Sequence, residues 1–141
     1  MTGASTIHRP ADADGARRLH HELRQRRRGN VAYVGGGTAL QPGWAEEPAG
    51  LALIDVSCLP EAQGVLQRET PAGPVLRIGA ATRLERLRTD PLVATRAPLL
   101  ARSLRSLAAL GVRHLATLGG NIGWRAGDTL APLLVLDAQA D

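Results

Sequence analysis

Apolar positions recur at helical spacing over residues 11–28, where Ala16, Leu19 and Leu23, with His20 at the margin, mark one face and arginine fills much of the rest. Asp12 and Asp14 suit the positive N-terminal end of such a helix, and the Arg26-Arg27-Arg28 run suits its C-terminal end. Gly29-Asn30 is a stop signal. The period then changes. Val31-Ala32-Tyr33-Val34 predicts a short buried strand running straight into Gly35-Gly36-Gly37-Thr38. Residues 41–50, with two prolines and two glycines, predict a loop, and Leu51 to Val56 a second apolar strand.

After a turn around Pro60, Val65–Glu69 and Val75–Ile78 read as two strands joined at Pro71-Ala72-Gly73-Pro74, a hairpin. Thr82 is placed to cap a short helix carrying Leu84 and Leu87, and Glu85 three residues on completes a capping box. Leu99 to Leu110 predicts a long helix with Leu100, Leu104 and Leu107 on one stripe, ended by Gly111. Residues 112–128 are glycine-rich, and Leu130–Leu136 predicts a last short helix. No internal repeat is present. The expected class is therefore α+β in two lobes: a small βαβ-like lobe over about 1–57 and a larger lobe of mixed sheet and helices over about 58–141.

Composition narrows the picture. The chain has 141 residues, 44% apolar and 21% charged, enough for one compact domain. No apolar run approaches the ~18 residues of a membrane span, and Met1 to Pro10 holds no apolar signal region, so a cytoplasmic location is expected. The net charge of +4 sits in residues 1–30, which hold seven arginines and three acids; the remainder is balanced. An arginine-rich helix attracts phosphate, but with three aromatic residues in the whole chain and no recognition motif, a solvated or subunit-docking face is expected rather than nucleic-acid binding. The chain stops at Asp141 just after an apolar segment, an ending expected of a fragment.

Catalytic signatures are missing. There is no Gly-x-Ser-x-Gly and no His-Glu-x-x-His. His20 and His21 are adjacent and cannot share a helix face, so no metal site is expected there. His8 and His114 have no acidic partner in sequence, and Cys58, after a strand, reads as a buried small hydrophobe. Two glycine clusters remain: Gly35-Gly36-Gly37-Thr38, and Thr117-Leu118-Gly119-Gly120-Asn121. Each is open to two readings, a tight turn or a nest of backbone N–H groups that binds anionic oxygen. Taken together, one in each lobe, they can clamp a pyrophosphate, with Thr38, Thr117 and Asn121 adding side-chain hydrogen bonds.

The ordered blocks 32–40, Leu53-Ile54-Asp55-Val56-Ser57, Ile78-Gly79-Ala80-Ala81-Thr82, 111–122 and 127–138 resemble the FAD-binding medium subunit of the molybdenum hydroxylases, the xanthine dehydrogenase and carbon monoxide dehydrogenase family. The resemblance covers the chain from about residue 5 to its end. It implies a two-lobed FAD-binding fold of the vanillyl-alcohol-oxidase (PCMH) type and non-covalent FAD. Val34, Gly35, Gly36, Gly37, Thr38, Ala39 and Leu40 would hold the pyrophosphate. Ala116, Thr117, Gly119, Gly120 and Asn121 would approach phosphate and flavin from the second lobe, and Asp128 would accept from hydroxyls of the flavin chain. Arg113 matches a family arginine, open to cofactor contact or to pairing with a carboxylate in its lobe. Ala39 stands where aspartate is frequent, His114 where asparagine is common, and Trp124-Arg125-Ala126 replaces a small, proline-containing stretch; Trp124 either covers a cofactor edge or packs on the surface.

The implied function is electron transfer, as a subunit beside a molybdenum-cofactor large subunit and a 2Fe-2S small subunit. The alternative is a truncated, flavin-free interaction module that docks to those partners. Family members continue into a C-terminal domain that helps to enclose the flavin. Without it, the 99–110 helix and the 130–136 segment are expected to expose apolar surface.

Overall fold

The computed structural model describes residues 4–26, 30–41 and 50–140; the expected helical positions Arg27 and Arg28, the stop at Gly29 and most of the 41–50 loop lie outside the described residues. The first lobe is a three-stranded parallel sheet with one helix. Strands β1 (Thr6–His8), β2 (Val31–Val34) and β3 (Ala52–Asp55) stand in the order β1-β3-β2, and helix α1 (Ala13–Arg26) joins β1 to β2. Thr6 and Val31 both pair with Ala52, which makes β3 central. A strand covered on both faces reads as a continuous apolar run, and Ala52, Leu53 and Ile54 are fully buried or nearly so. Ala16 and Leu23 of α1 close on Ala52, Ile54 and Leu59, with Leu19 and Val31 at the margin.

Asp12 starts α1, its carboxylate accepting the Gly15 N–H at 2.6 Å. Strand β2 differs from its expected burial. It is an edge strand, half-buried along its length, and Tyr33 is exposed, its ring stacked on His20 at 4.8 Å. Cys58 also differs: it is exposed, because the Asp55 carboxylate accepts the Ser57 N–H at 3.0 Å and closes a turn that buries Ser57 and leaves Cys58 outside. His21 faces Gln25 at 2.9 Å, away from His20 in role as well as direction.

The second lobe opens with the expected hairpin, β4 (Val65–Thr70) against β5 (Gly73–Ile78). Its turn is only Pro71-Ala72, since Gly73 pairs with Thr70 and takes φ +111°. Among the described residues this antiparallel pair is the lobe's whole sheet, not a mixed one, and helices supply most of its core. These are α2 (Leu84–Thr89), α3 (Pro91–Arg96), α4 (Pro98–Ser106), α5 (Leu110–Leu115), α6 (Leu118–Gly123) and α7 (Gly127–Val135). Leu84, Leu87, Val93, Leu100 and Leu104 are completely buried, with Leu107, Ala116 and Leu118 around them. Asp90 accepts the N–H groups of Leu92 and Val93, and Pro91 follows it at the first helical position, so α3 has its own start signal.

Two local expectations are corrected. Thr82 does not cap α2; its hydroxyl bridges to the N–H and carbonyl of Gly64, and Glu85 turns instead to Arg88 (2.5 and 2.9 Å) and Arg113 (2.7 Å). The long helix breaks after Ser106, with Ala108 at φ +53°, and Gly111 lies inside α5 rather than ending a helix. The break is held from outside its own segment: the Arg113 guanidinium donates to the carbonyls of Leu107 (2.9 Å) and Ala108 (2.6 Å). Since Gly111 is helical and a methyl there would meet nothing within 4 Å, Gly111→Ala is expected to stabilise the chain. The gain is about 0.5–1 kcal/mol, read from thermal or urea melts.

Glu85 is held down to about 2, first by the hydrogen bonds from Arg88 and then by that from Arg113, against an ordinary value of 4.5. A depressed carboxylate stabilises the fold above its unfolded value and loses that contribution as pH falls through its folded one. Wild type should therefore lose stability between about pH 4.5 and 2 beyond what a Glu85→Gln chain loses, and thermal melts across that range check it. Equal pH profiles for the two chains would remove Glu85 as the titrating group.

Candidate ligand-binding cleft

The two lobes meet at their glycine loops. A methyl on Gly36 would overlap the Leu115 carbonyl and come within 2.9 Å of the Ala116 Cα, and one on Gly35 would overlap the Thr117 hydroxyl. On the neighbouring contact, a methyl on Gly119 would sit 2.9 Å from the Ala80 Cβ. Close backbone approach is what glycine alone permits here. The Ala116–Leu118 segment is itself fixed by short backbone bonds: Leu84 N–H to Ala116 O, Leu118 N–H to Thr82 O and Gly119 N–H to Ala80 O, at 2.7–3.0 Å.

Between the loops lies a cleft of about 560 Å³. Sites for cofactors and small ligands commonly occupy ~300–1,000 Å³. Val34 through Leu40 line one side, and Ala116, Thr117, Gly119, Gly120 and Asn121 the other, so twelve of the thirteen residues selected from sequence come together. Asp128 does not line it; it is exposed in the first turn of α7. None of the described lining residues carries a charge.

The loops offer different chemistry. The N–H groups of Gly35 through Ala39 donate to nothing among the described residues, while Leu40 and Gln41 close back on Gly37 O. Gly37, at φ +69°, supplies the left-handed residue that a backbone anion nest requires. In the second loop most backbone donors are spent. Leu118 and Gly119 N–H bond to Thr82 O and Ala80 O, Thr117 caps α6 by accepting the Gly120 N–H at 3.2 Å, and Asn121 N–H bonds to Thr117 O. What remains is a close-packed floor, the Thr117 hydroxyl and the Asn121 side chain. Its amide oxygen accepts from the Thr129 hydroxyl, which leaves the amide NH₂ as a donor.

An anionic, elongated ligand with planar rings fits this arrangement: consecutive donors on one wall, no carboxylate among the described lining residues, and an aromatic residue from each lobe, Tyr33 and Trp124, on the lining. Arg113 sits away from it, 2.7 Å from the Glu85 carboxylate, which resolves its two readings in favour of the ion pair. Sequence reasoning gave no role to Tyr33, Val56, Ala62, Ala80, Ala81 or Gly123 in the lining, nor to Thr129 behind Asn121. The small-residue run Gly79-Ala80-Ala81 was the available signal for two of these contacts, Ala80 and Ala81.

Residues 3–141 match the family described as the FAD binding domain in molybdopterin dehydrogenase. The chain is 33% identical over 91 residues to the xanthine dehydrogenase FAD-binding subunit of Escherichia coli O157:H7, covering 63% of this chain and 30% of that one. It is 37% identical over 70 residues to the carbon monoxide dehydrogenase medium chain of Hydrogenophaga pseudoflava, covering 50% and 23%. The structure superimposes with a TM-score of 0.72 and 30% identity on a carbon monoxide dehydrogenase from Hydrogenophaga pseudoflava that lacks the Mo-pyranopterin moiety of the molybdenum cofactor, covering 86% of this chain and 40% of that chain. The alignments thus span less than a third of the curated relatives' length.

Proposed function

The chain belongs to the family of FAD-binding domains found in molybdopterin dehydrogenases, and from that premise we propose that the cleft between its glycine loops holds FAD without a covalent bond. The observation that carries the reading is the row of N–H groups from Gly35 to Ala39 that have no partner among the described residues, on the wall of a cleft whose described lining holds no charge. Those groups, with the Thr38 hydroxyl, donate to the pyrophosphate. Val34 and Leu40 bound the loop, and Gly37 turns it. Ala116, Thr117, Gly119 and Gly120 form the surface the cofactor lies against, small enough to let it approach. Asn121, held by Thr129, donates its amide N–H, and the Asp128 carboxylate, outside the cleft lining at the start of α7, is the acceptor proposed for hydroxyls of a flavin chain that extends past Asn121.

When bound, FAD supplies a centre that exchanges electrons with both one-electron and two-electron carriers. The protein's part is to bind, orient and shield it. We read lobe one as residues 1–57 and lobe two as 58–141 of a PCMH-type domain. Its place is that of an electron-transfer subunit in a cytoplasmic oxidoreductase complex, taking electrons from a 2Fe-2S small subunit served by a molybdenum-cofactor large subunit. Among the described residues no helix is long and apolar enough to cross a membrane.

The test is an FAD titration followed by flavin fluorescence and by filtration. One flavin per chain, released unmodified by heat, is the expected result. At 100 times its dissociation constant, FAD should add about 2.7 kcal/mol of stability, visible as a raised Tm. Flavin that passes the filter at every concentration, while circular dichroism shows a folded chain, would refute the assignment.

A further inference from the structure

We propose that Trp124 is the stacking surface for a planar ring of the dinucleotide in the cleft, an inference that rests on the FAD assignment above. Trp124 lines the cleft and is 65% exposed, more than Tyr33 on the opposite side at 46%. Its backbone, by contrast, is pinned. Trp124 N–H bonds to Gly120 O at 3.0 Å as α6 ends. Arg125 then takes the left-handed position usual for glycine, φ +58°, with its N–H on Ile122 O, and Ala126 N–H returns to Asn121 O. Thr129 secures the same corner from α7, buried and bonded to Asn121 and Ala126.

With the backbone fixed, a flat ligand that covers the ring has only its two side-chain torsions to immobilise, and it gains the contact area that aromatic stacking supplies. The position also suits the ligand. The ring stands on the lobe-two side of the same cleft whose lobe-one side carries the free N–H groups, so a pyrophosphate on the loop directs a ring along the lining. The chemistry recognised is a planar heteroaromatic ring, and FAD carries two, the flavin and the adenine.

The experiment compares wild type with Trp124→Ala and Trp124→Phe in FAD titrations, with circular dichroism as the check on folding. An exposed side chain whose backbone bonds are untouched by truncation leaves the fold intact. Trp124→Ala should bind FAD about tenfold or more weakly, within the range known for base–aromatic stacking, and Trp124→Phe should recover most of it. Competition by FMN and by ADP identifies the ring: whichever of the two loses affinity with Trp124→Ala carries the stacked ring, and either result supports the proposal. Equal FAD affinity in wild type and Trp124→Ala overturns it while leaving the cleft as the FAD site. A folded wild-type chain that binds no FAD overturns both.

Discussion

A Gly36→Ala chain is expected to fold its two lobes yet fail to retain FAD. The added methyl would meet the carbonyl of Leu115 and the Cα of Ala116, all backbone, so no rotamer change can relieve the clash. The Ala116–Leu118 segment cannot retreat freely, because three backbone bonds tie it to residues 80–84. The 35–40 loop must move instead, and with it the aligned N–H groups. A shift of ~1 Å in such a set costs about 100-fold in function, and overpacking of this kind costs about 1–3 kcal/mol of stability. Gly37→Ala is the control. It faces only the Val34 side chain at 3.9 Å, so it bears left-handed strain of about 1–2 kcal/mol without displacing the loop. Retention of FAD by Gly37→Ala but not by Gly36→Ala is the expected pair; equal retention by both would show that the contact with Leu115 does not set the loop.

Leu104→Ala is expected to cost about 3 kcal/mol, within the ~2–5 kcal/mol known for truncating fully buried leucines. Leu104 is completely buried among Leu84, Leu87, Val93 and Leu100, at the centre of the second lobe's core. For a chain of this size the loss corresponds to a Tm lower by about 10 °C, a large part of a typical stability of ~5–15 kcal/mol. Below the transition, FAD binding should stay near wild type, since Leu104 does not line the cleft. A Tm within a degree or two of wild type would mean that this core is not closed as described.

Much of this arrangement was readable from residues alone, and the exceptions share a cause. The α1 face and the β4–β5 hairpin declare themselves because their determinants are local: a helical stripe, and two strands around a proline-bounded turn. The two glycine loops declare themselves for the same reason. What sequence could not show depends on particular partners, near or far along the chain, that no repeating pattern declares. Strand β1 has three residues and exists because β3 receives it. The break at Ala108 is held by an arginine five residues on, and Glu85 leaves its expected cap for Arg88, three residues on, and for Arg113, 28 residues away in sequence and 2.7 Å away in space. Tyr33 entered the cleft unannounced because a lone aromatic carries no spacing to read; Trp124 was open to two places, a cofactor edge or the surface, and it lines the cleft while largely exposed.

The two hydrophobic cores do not merge: one gathers α1 and β3 with Leu59, the other α2 to α4 with Leu107, Ala116 and Leu118, and the lobes touch through glycine backbone and small residues. Amide hydrogen exchange should therefore resolve two cooperative opening units, each with its own protection level, rather than a single global one. A dinucleotide bridging the seam would couple them, so that saturation with FAD slows exchange in β3 and in α4 together, although neither element touches the cofactor.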